Sequence, residues 1–306
     1  MTRVRYHDLP ADVREIYPWQ GEDLTLPSGH RLHYLDEGSG PPLLMVHGNP
    51  TWSFYWRPLV AGLSDRFRCV VPDHLGCGLS DKPQDWDYTM SAHAENLVAL
   101  IDALDLRDIT LVLHDWGGAI GMSAALQRSD RIARVVIFNT AAFYGPLPLS
   151  IKLARWPVIG ELALQGLNGF ARVALWTASG DRSHLKGAVG RGYLAPYKSW
   201  RHRIAQLAFI RDIPLEADHP TRPAMEELES RFDSFSSLPT LIIWGAKDFV
   251  FTHRFLSRWT QAYPAAEVHS LADAGHYVVE DAGPRIVPLM SEWMDRHPLL
   301  VREPDA

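Results

Sequence analysis

The sequence predicts an α/β fold, with a mostly parallel, doubly wound sheet and an inserted helical cap. Short apolar segments bounded by turns alternate with longer segments of helical periodicity, as strands and crossover helices do in a parallel sheet. This alternation stops near residue 143 and resumes after residue 222. With 306 residues, 46% of them hydrophobic, the chain can bury a large core, and one domain with an insertion fits it better than two independent domains.

The strands are predicted at the short apolar segments and the helices at the periodic segments between them. The first strand, 31–35, is expected at an edge of the sheet, and the first buried strand at 43–47. Because strands and helices alternate, the connections are expected to be right-handed crossovers between parallel strands. Further strands are predicted at 69–72, 109–114, 135–139, 241–244 and 268–271, and helices at 54–63, 92–104, 118–127, 253–262 and 284–293.

Residues 143–222 contain no strand-like segment, only amphipathic stretches punctuated by proline and rich in Leu, Trp and Phe. The predicted domains are therefore a core of residues 1–142 and 223–306 and a cap of residues 143–222. A cap over the carboxyl ends of parallel strands closes the crevice where such sheets bind ligands, so a small apolar substrate is expected. Most of the large apolar cap residues are expected to pack the cap onto the sheet, namely Leu153, Trp156, Leu162, Leu164, Phe170 and Trp176.

The segment His-Asp-Trp-Gly-Gly at 114–118 joins the 109–114 strand to the next helix. A strand that turns sharply into a helix lifts its central side chain clear of the sheet and points a helix N-terminus at it. Here that residue is Asp115. An alkylated serine would be a stable ether, whereas an alkylated carboxylate is an ester that water can cleave. Asp115 therefore indicates displacement at an alkyl carbon. If Asp115 stood alone, a helix N-cap role would be the preferred explanation, and Leu113 replaces a customary small residue.

Three more segments supply partners for Asp115. The turn 47–52 would place the backbone N–H and side-chain amide of Asn49 beside the elbow, residues 114–118, where both can donate hydrogen bonds to an anion. Asp248 follows the 241–244 strand, and His276 follows the last strand. Each residue alone is explained by a structural role. Together, nucleophile, acid and base occur at strand ends in the order of the α/β-hydrolase triad, which predicts that fold and an enzyme.

The turn 47–52, the elbow 114–118 and the Gly-His-Tyr loop 275–277 resemble the haloalkane dehalogenases over nearly the whole chain. The resemblance implies that Asp115 attacks carbon, that the side-chain N–H groups of Asn49 and Trp116 hold the halide, and that His276 activates water against the ester. The backbone N–H groups of Asn49 and Trp116 would stabilise the oxyanion. Asn139 cannot supply the acid found at that place in some dehalogenases, which leaves Asp248. An exposed Asp115, with a reference pKa of about 3.9, would be ionised near neutrality.

A second resemblance, at 139–143, 193–200 and 209–215, is to the β-lactone decarboxylases of bacterial olefin biosynthesis. It implies the same aspartate, a carboxylate leaving group, and an alkene and carbon dioxide as products. The triad does not separate the two reactions, and dehalogenation is placed first. An epoxide hydrolase, with Tyr193 or Tyr197 activating the epoxide, and a non-catalytic binding protein are less favoured. Cap packing is the simpler explanation of both tyrosines.

The composition narrows the remaining classes of function. A net charge of −6 and a pI near 6.1 argue against nucleic acid as a partner. Two cysteines are too few for a disulfide framework, and the first residues have no apolar signal core, so the cytoplasm is expected. No apolar run approaches the ~20 residues of a transmembrane helix. No metal and no cofactor are implied, and oligomeric state is not indicated.

Overall fold

The computed structural model describes residues 3–299, and eight strands form one sheet in the order β1-β2-β4-β3-β5-β6-β7-β8. Strands β3 to β8 pair in parallel, as predicted, whereas β2 is antiparallel to both β1 and β4. The strands are β1 Glu22–Thr25, β2 Arg31–Glu37, β3 Pro42–Val46, β4 Arg68–Pro72, β5 Ile109–Asp115, β6 Ile132–Thr140, β7 Thr240–Gly245 and β8 Glu267–Leu271.

Helices cover both faces of the sheet and fill the interval between β6 and β7. The α-helices are α1 Ala11–Ile16, α2 Arg57–Leu63, α3 Met90–Ala103, α4 Trp116–Gln127, α5 Leu149–Ala154, α6 Gly169–Thr177, α7 Gly187–Leu194, α8 Ile204–Arg211, α9 Arg222–Arg231, α10 His253–Ala262 and α11 Val278–Arg296. A π-helix spans Glu161–Gly166, and 3-10 turns span Tyr6–Asp8, Ser53–Trp56, Ser129–Arg131, Arg182–Leu185 and Arg201–Arg203. None of the helices in residues 3–299 has both the length and the apolarity needed to cross a bilayer.

Two apolar clusters form the core, one on each face of the sheet. Successive strand side chains point to opposite faces, so Leu43 and Met45 belong to one cluster while Leu44 and Val46 belong to the other. Strands buried on both faces need continuous apolar sequence, which explains why the central strands were predictable from composition alone. The two-sided burial fixes the sheet and therefore the positions of the loops at its carboxyl edge.

The structure corrects two of the predicted elements. Strand β1 was not predicted because its sequence, Glu-Asp-Leu-Thr, is polar and mostly exposed, and it makes the predicted edge strand an interior one. Helix α11 begins at Val278, six residues before the predicted start at 284, and contains Pro284 and Pro288. Both prolines are exposed and four residues apart, so they lie together on the solvent side of the helix.

Between β6 and β7 the described chain is helical and contains no strand, as expected for the predicted cap, whose exact bounds stay a prediction. The expectation that most large apolar cap residues pack onto the sheet is wrong. Of the six residues named, only Leu164 is buried and Phe170 is half-buried, whereas Leu153, Trp156, Leu162 and Trp176 are exposed. Periodicity indicated an apolar helix face but could not show whether another element covers it.

Candidate active site

Asp115 ends β5 in a strained backbone conformation, with φ 52° and ψ −126°. A non-glycine residue in this region costs roughly 1–3 kcal/mol and is kept where the surroundings enforce it. Two glycines make the space. A Cβ on Gly117 would lie 2.1 Å from the carbonyl oxygen of Val46, and a Cβ on Gly48 would lie 1.9 Å from Oδ1 of Asp115. The Thr140 hydroxyl donates to the Asp115 carbonyl and ties the elbow to β6.

The departure of Leu113 from the usual small residue is accommodated by a glycine one turn into α4. A Cβ on Gly121 would lie 2.3 Å from Cδ2 of Leu113. The leucine therefore occupies the space that a side chain at Gly121 would need, and the strand and helix still approach closely. Gly121 was visible in the sequence as a glycine in a helix interior, which is a weak signal of close packing.

The carboxylate of Asp115 lies at the N-terminus of α4 but does not cap it. Its Oδ1 accepts a hydrogen bond from the backbone N–H of Asn49 at 2.6 Å, and the backbone N–H of Trp116 also bonds to the carboxylate. The expectation of an exposed aspartate is wrong, because Asp115 is only 8% exposed. Burial raises the pKa of Asp115, and His276 together with the two backbone N–H groups opposes that rise.

His276 lies between two carboxylates. Its Nδ1 is 2.8 Å from Oδ2 of Asp248, and its Nε2 is 3.7 Å from Oδ2 of Asp115. The backbone N–H groups of Val250 and Phe251 donate to Oδ1 of Asp248, at 2.7 and 3.1 Å, and orient the acid. An ionised Asp248 accepts from Nδ1–H, so Nε2 is the nitrogen that faces Asp115.

The pKa of His276 is set by opposing effects. Burial lowers the pKa of His276. The charges of Asp248 and Asp115 and the hydrogen bond to Asp248 raise it by more than burial lowers it, so the net shift is upward. The neighbouring His114 bonds through Nε2 to the carbonyl of His276, at 2.9 Å, and fixes the loop. The three residues predicted as a triad therefore converge, with the geometry that a general base and its orienting acid require.

Asn49 and Trp116, the two predicted donors to an anion, both bond to Asp115 through their backbone N–H groups, whereas their side chains make other contacts. The Asn49 Nδ2 donates to the carbonyl of Gln206 in α8, at 3.1 Å, and Oδ1 of Asn49 is buried without a partner among the described residues. An amide nitrogen carries two hydrogens, so one N–H of Asn49 stays available for a ligand. The Trp116 indole packs on Phe209, with ring centroids 5.4 Å apart, and lines a cavity beside Asp115.

Asn139 has a positioning role that the sequence did not reveal. Its Nδ2 donates to the carbonyl of Gly245 at 3.0 Å, and its Oδ1 accepts from the N–H of Gly245 at 2.7 Å. These bonds fix the end of β7 three residues before Asp248. Only a weak signal of this pair of hydrogen bonds was present in the sequence, namely an amide side chain at a strand end. The partner, Gly245, could not be identified because it is distant in sequence.

Two apolar cavities meet at Asp115 and Val250. The smaller, here called the core arm, has a volume of about 100 Å³ and is lined by Trp116, Phe143, Leu147, Ile213 and Phe255. The larger, the cap arm, has a volume of about 340 Å³ and also contacts Asn49 and His276. Its apolar wall comes from the cap helices, through Ile151, Leu153, Leu164, Phe170 and Val173.

Neither candidate epoxide-activating tyrosine lines these arms. Both are buried, and the Tyr193 hydroxyl donates to Glu280 while the Tyr197 hydroxyl donates to the carbonyl of Thr51. Their packing role, expected from the sequence, accounts for both. Among the predicted site residues, Asp115 lines both arms and His276 and Asn49 line the cap arm, while Asp248 bonds to His276 from behind.

Comparisons with known proteins agree with this architecture. The family model for the alpha/beta hydrolase fold matches residues 41–283. The chain is 43% identical to a cis-3-alkyl-4-alkyloxetan-2-one decarboxylase of Shewanella oneidensis, over 87% of this chain and 86% of that protein. It is 33% identical to haloalkane dehalogenase 2 of Mycobacterium tuberculosis, over 91% and 96%.

Among solved structures, a haloalkane dehalogenase from Agrobacterium tumefaciens C58 superposes with a TM-score of 0.79 at 28% identity, covering 91% of this chain and 97% of that one. The two families that the sequence resembles are thus both represented among its relatives. The protein is an enzyme that belongs to the α/β-hydrolase fold family, in the group that includes haloalkane dehalogenases and oxetan-2-one decarboxylases.

Proposed function

We propose that the protein decarboxylates a β-lactone that carries two alkyl chains, releasing an alkene and carbon dioxide. The observation that carries this proposal is the pair of apolar arms that Asp115 lines in common. A 3,4-dialkyl oxetan-2-one has one chain on each of two adjacent ring carbons, so it needs two apolar channels from one reactive point. A simple haloalkane needs only one.

The reaction follows from the position of the carboxylate. Oδ2 of Asp115 attacks ring carbon C4, the C4–O bond breaks, and the ring oxygen leaves as part of a free carboxylate. In the second step the bond from C3 to that carboxylate breaks, and its electron pair forms the C3=C4 double bond. The bond from C4 to Asp115 breaks at the same time and returns its pair to the enzyme. Atoms and charges balance without water.

The stereochemistry is consistent with the two arms. Attack from the face opposite the ring oxygen inverts C4, and loss of carbon dioxide anti to Asp115 then gives the cis alkene from a cis lactone. The backbone N–H groups of Asn49 and Trp116 hold Asp115 in its attacking and departing form, and the remaining N–H of Asn49 can hold the released carboxylate. Burial in an apolar cavity strengthens these contacts.

Haloalkane dehalogenation, placed first from the sequence, is the second candidate. The observation that favours it is Nε2 of His276, which lies 3.7 Å from Oδ2 of Asp115 and can direct a water molecule at an alkyl ester. Identity favours the lactone, at 43% against 33%. We also propose a cytoplasmic location, consistent with Cys69 and Cys77, which are both buried free thiols.

Product analysis tests the proposal. Purified protein is incubated in parallel with a cis-3,4-dialkyl oxetan-2-one and with a 1-bromoalkane, and the alkene, carbon dioxide, alcohol and bromide are measured. We expect cis alkene and carbon dioxide in equal amounts, with kcat/KM at least tenfold above that for the bromide. Bromide and alcohol without lactone turnover would instead establish the second candidate.

A further inference from the structure

The cap presents an unusual concentration of exposed apolar side chains. Of the fourteen large hydrophobic residues that are exposed in the described chain, nine lie within residues 149–176. Leu167 is 73% exposed and Trp176 is 66% exposed. We name this surface the docking face and define it by Leu149, Trp156, Val158, Leu162, Leu167 and Trp176. Large apolar side chains exposed at this density within one segment indicate an interaction site.

The docking face is continuous with the cap arm. Leu153, Ile159 and Val173 lie in the same segment, and each is exposed on the surface while it also lines the cavity. Phe249, from the loop that carries Val250, is likewise exposed and lines the cap arm. An apolar molecule can therefore pass from the docking face to Asp115 along apolar side chains.

Charge separates the cap from the rest of the chain. Residues 143–222 contain eleven Lys and Arg against five Asp and Glu, which gives them a net charge of +6. The remaining residues carry a net charge of −12, so the whole chain has a net charge of −6. Within and beside the docking face, Lys152, Arg172, Arg182 and Lys186 are exposed, and none has a salt-bridge partner in residues 3–299. The guanidinium of Arg182 lies over the Trp176 ring, 5.4 Å from its centre.

We infer that the docking face binds the surface of an anionic lipid bilayer. Leu and Trp side chains interspersed with long cationic side chains match the boundary between acyl chains and headgroups, where the apolar groups insert and the cations remain at the phosphates. Each Lys or Arg near such a surface strengthens binding about fivefold. An acidic protein of this net charge would be repelled if its core faced the lipid, so the charge of the cap also sets the orientation.

Docking gives the substrate a route into the cap arm. A molecule with two alkyl chains resides in the bilayer rather than in water, and the docking face opens the cavity towards it. This route rests on the proposed function, whereas docking itself depends only on the exposed side chains and the charge of the cap. A negative result in vesicle binding would overturn docking alone, and a negative result in product analysis would overturn the proposed function alone.

Vesicle flotation tests the inference on the full chain. The probes are large unilamellar vesicles of phosphatidylcholine alone and of phosphatidylcholine with about one third phosphatidylglycerol. We expect the protein to float with the anionic vesicles, at least tenfold more tightly than with neutral ones, and to dissociate as salt rises. The double variant Leu167→Gln with Trp176→Gln should bind at least tenfold more weakly, and Lys152→Gln with Arg172→Gln about 25-fold more weakly.

A matched control replaces exposed apolar residues outside the cap, Ile16→Gln with Val268→Thr, and should bind as the unaltered protein does. Circular dichroism and turnover of a short-chain substrate check that each variant is folded, because none of these residues lines either arm. Absence of vesicle binding, equal loss in the control, or a stable oligomer that buries the docking face and persists with vesicles present would overturn the inference.

Discussion

The elbow and the cap of this enzyme differ in whether their side chains have partners: polar groups at the elbow are hydrogen-bonded, whereas many apolar groups in the cap are exposed. Around Asp115, hydrogen bonds from three separate elements hold one carboxylate, one imidazole and one acid in fixed positions. In the cap, large apolar side chains remain exposed and several cations have no salt-bridge partner among the described residues. We therefore expect the elbow to determine which bond is made, and the cap to determine which molecule reaches it.

The largest effect is expected when the nucleophile itself is removed. Asp115→Asn keeps the shape of the side chain but cannot form the ester, so kcat for either substrate should fall roughly 10⁴-fold or more. The stability of the folded protein should not decrease. Burial raises the pKa of Asp115, so the ionised form destabilises the folded state above the unfolded pKa, and a neutral amide removes that cost. Steady-state kinetics and thermal unfolding at pH 7 measure the two effects, and a lower Tm would contradict the argument.

A change in the cap should alter substrate choice without altering chemistry. Ala174 lines the cap arm, and Ala174→Phe fills part of it. Exclusion of two to three methylenes, at about 0.8 kcal/mol each, should lower kcat/KM roughly 15- to 60-fold for long chains. A substrate with short chains should be nearly unaffected.

The matched variant in the core arm is Ala119→Leu, since Ala119 lines that arm and not the other. It should discriminate against length in only one of the two alkyl chains, and Ala174→Phe against length in the other. Assays with a pair of lactones that differ only in which chain is longer separate the two variants. Identical length profiles would show that the arms do not hold separate chains.

The pH dependence should separate the two reactions at the same site. Hydrolysis of an alkyl ester needs neutral His276, whose pKa is raised above 6.5 by Asp248 and Asp115 despite burial. The rate of bromide release at saturation should therefore fall as pH drops through that raised pKa. Lactone opening needs only ionised Asp115, which protonated His276 favours, so its acid limb should lie at lower pH. Coincident acid limbs in the two kcat profiles would show that His276 has the same role in both.

The smallest effect is expected on stability, at the contact that compensates for Leu113. Gly121→Ala places a methyl group against Leu113 and should lower the free energy of unfolding by about 1–3 kcal/mol. In a Leu113→Ala background the same change should cost little, because the clash is gone. A double-mutant cycle by urea unfolding measures the coupling. Additive effects would mean that the two residues do not share the space.

The predictability of the two regions from sequence differs for physical reasons. Asp115, His276, Asp248 and Asn49 lie at or just beyond strand ends, and parallel strands end at one edge of a sheet, so their convergence could be predicted. The burial of Asp115 could not, because it depends on how loops that are distant in sequence pack around it. Strand β1 escaped prediction because its residues are polar, and its pairing with β2 depends on tertiary contact.

The cap was predicted as a helical insertion, but the exposure of its apolar residues was not. Helical periodicity is the same whether an apolar face meets the sheet, a cavity or nothing. Trp176, Leu162 and Leu164 are all apolar residues of one insertion, yet only Leu164 is buried. Only the folded structure shows that two arms meet at Asp115.

We expect Asp115 to form a transient ester with saturated carbon. The variant His276→Gln, treated with a reactive 1-bromoalkane, should release bromide once and retain the alkyl group, because alkylation needs no base and hydrolysis does. Peptide mass spectrometry should then find the alkyl mass on Asp115. Repeated bromide release without an adduct, or an adduct on another residue, would show that Asp115 is not the nucleophile.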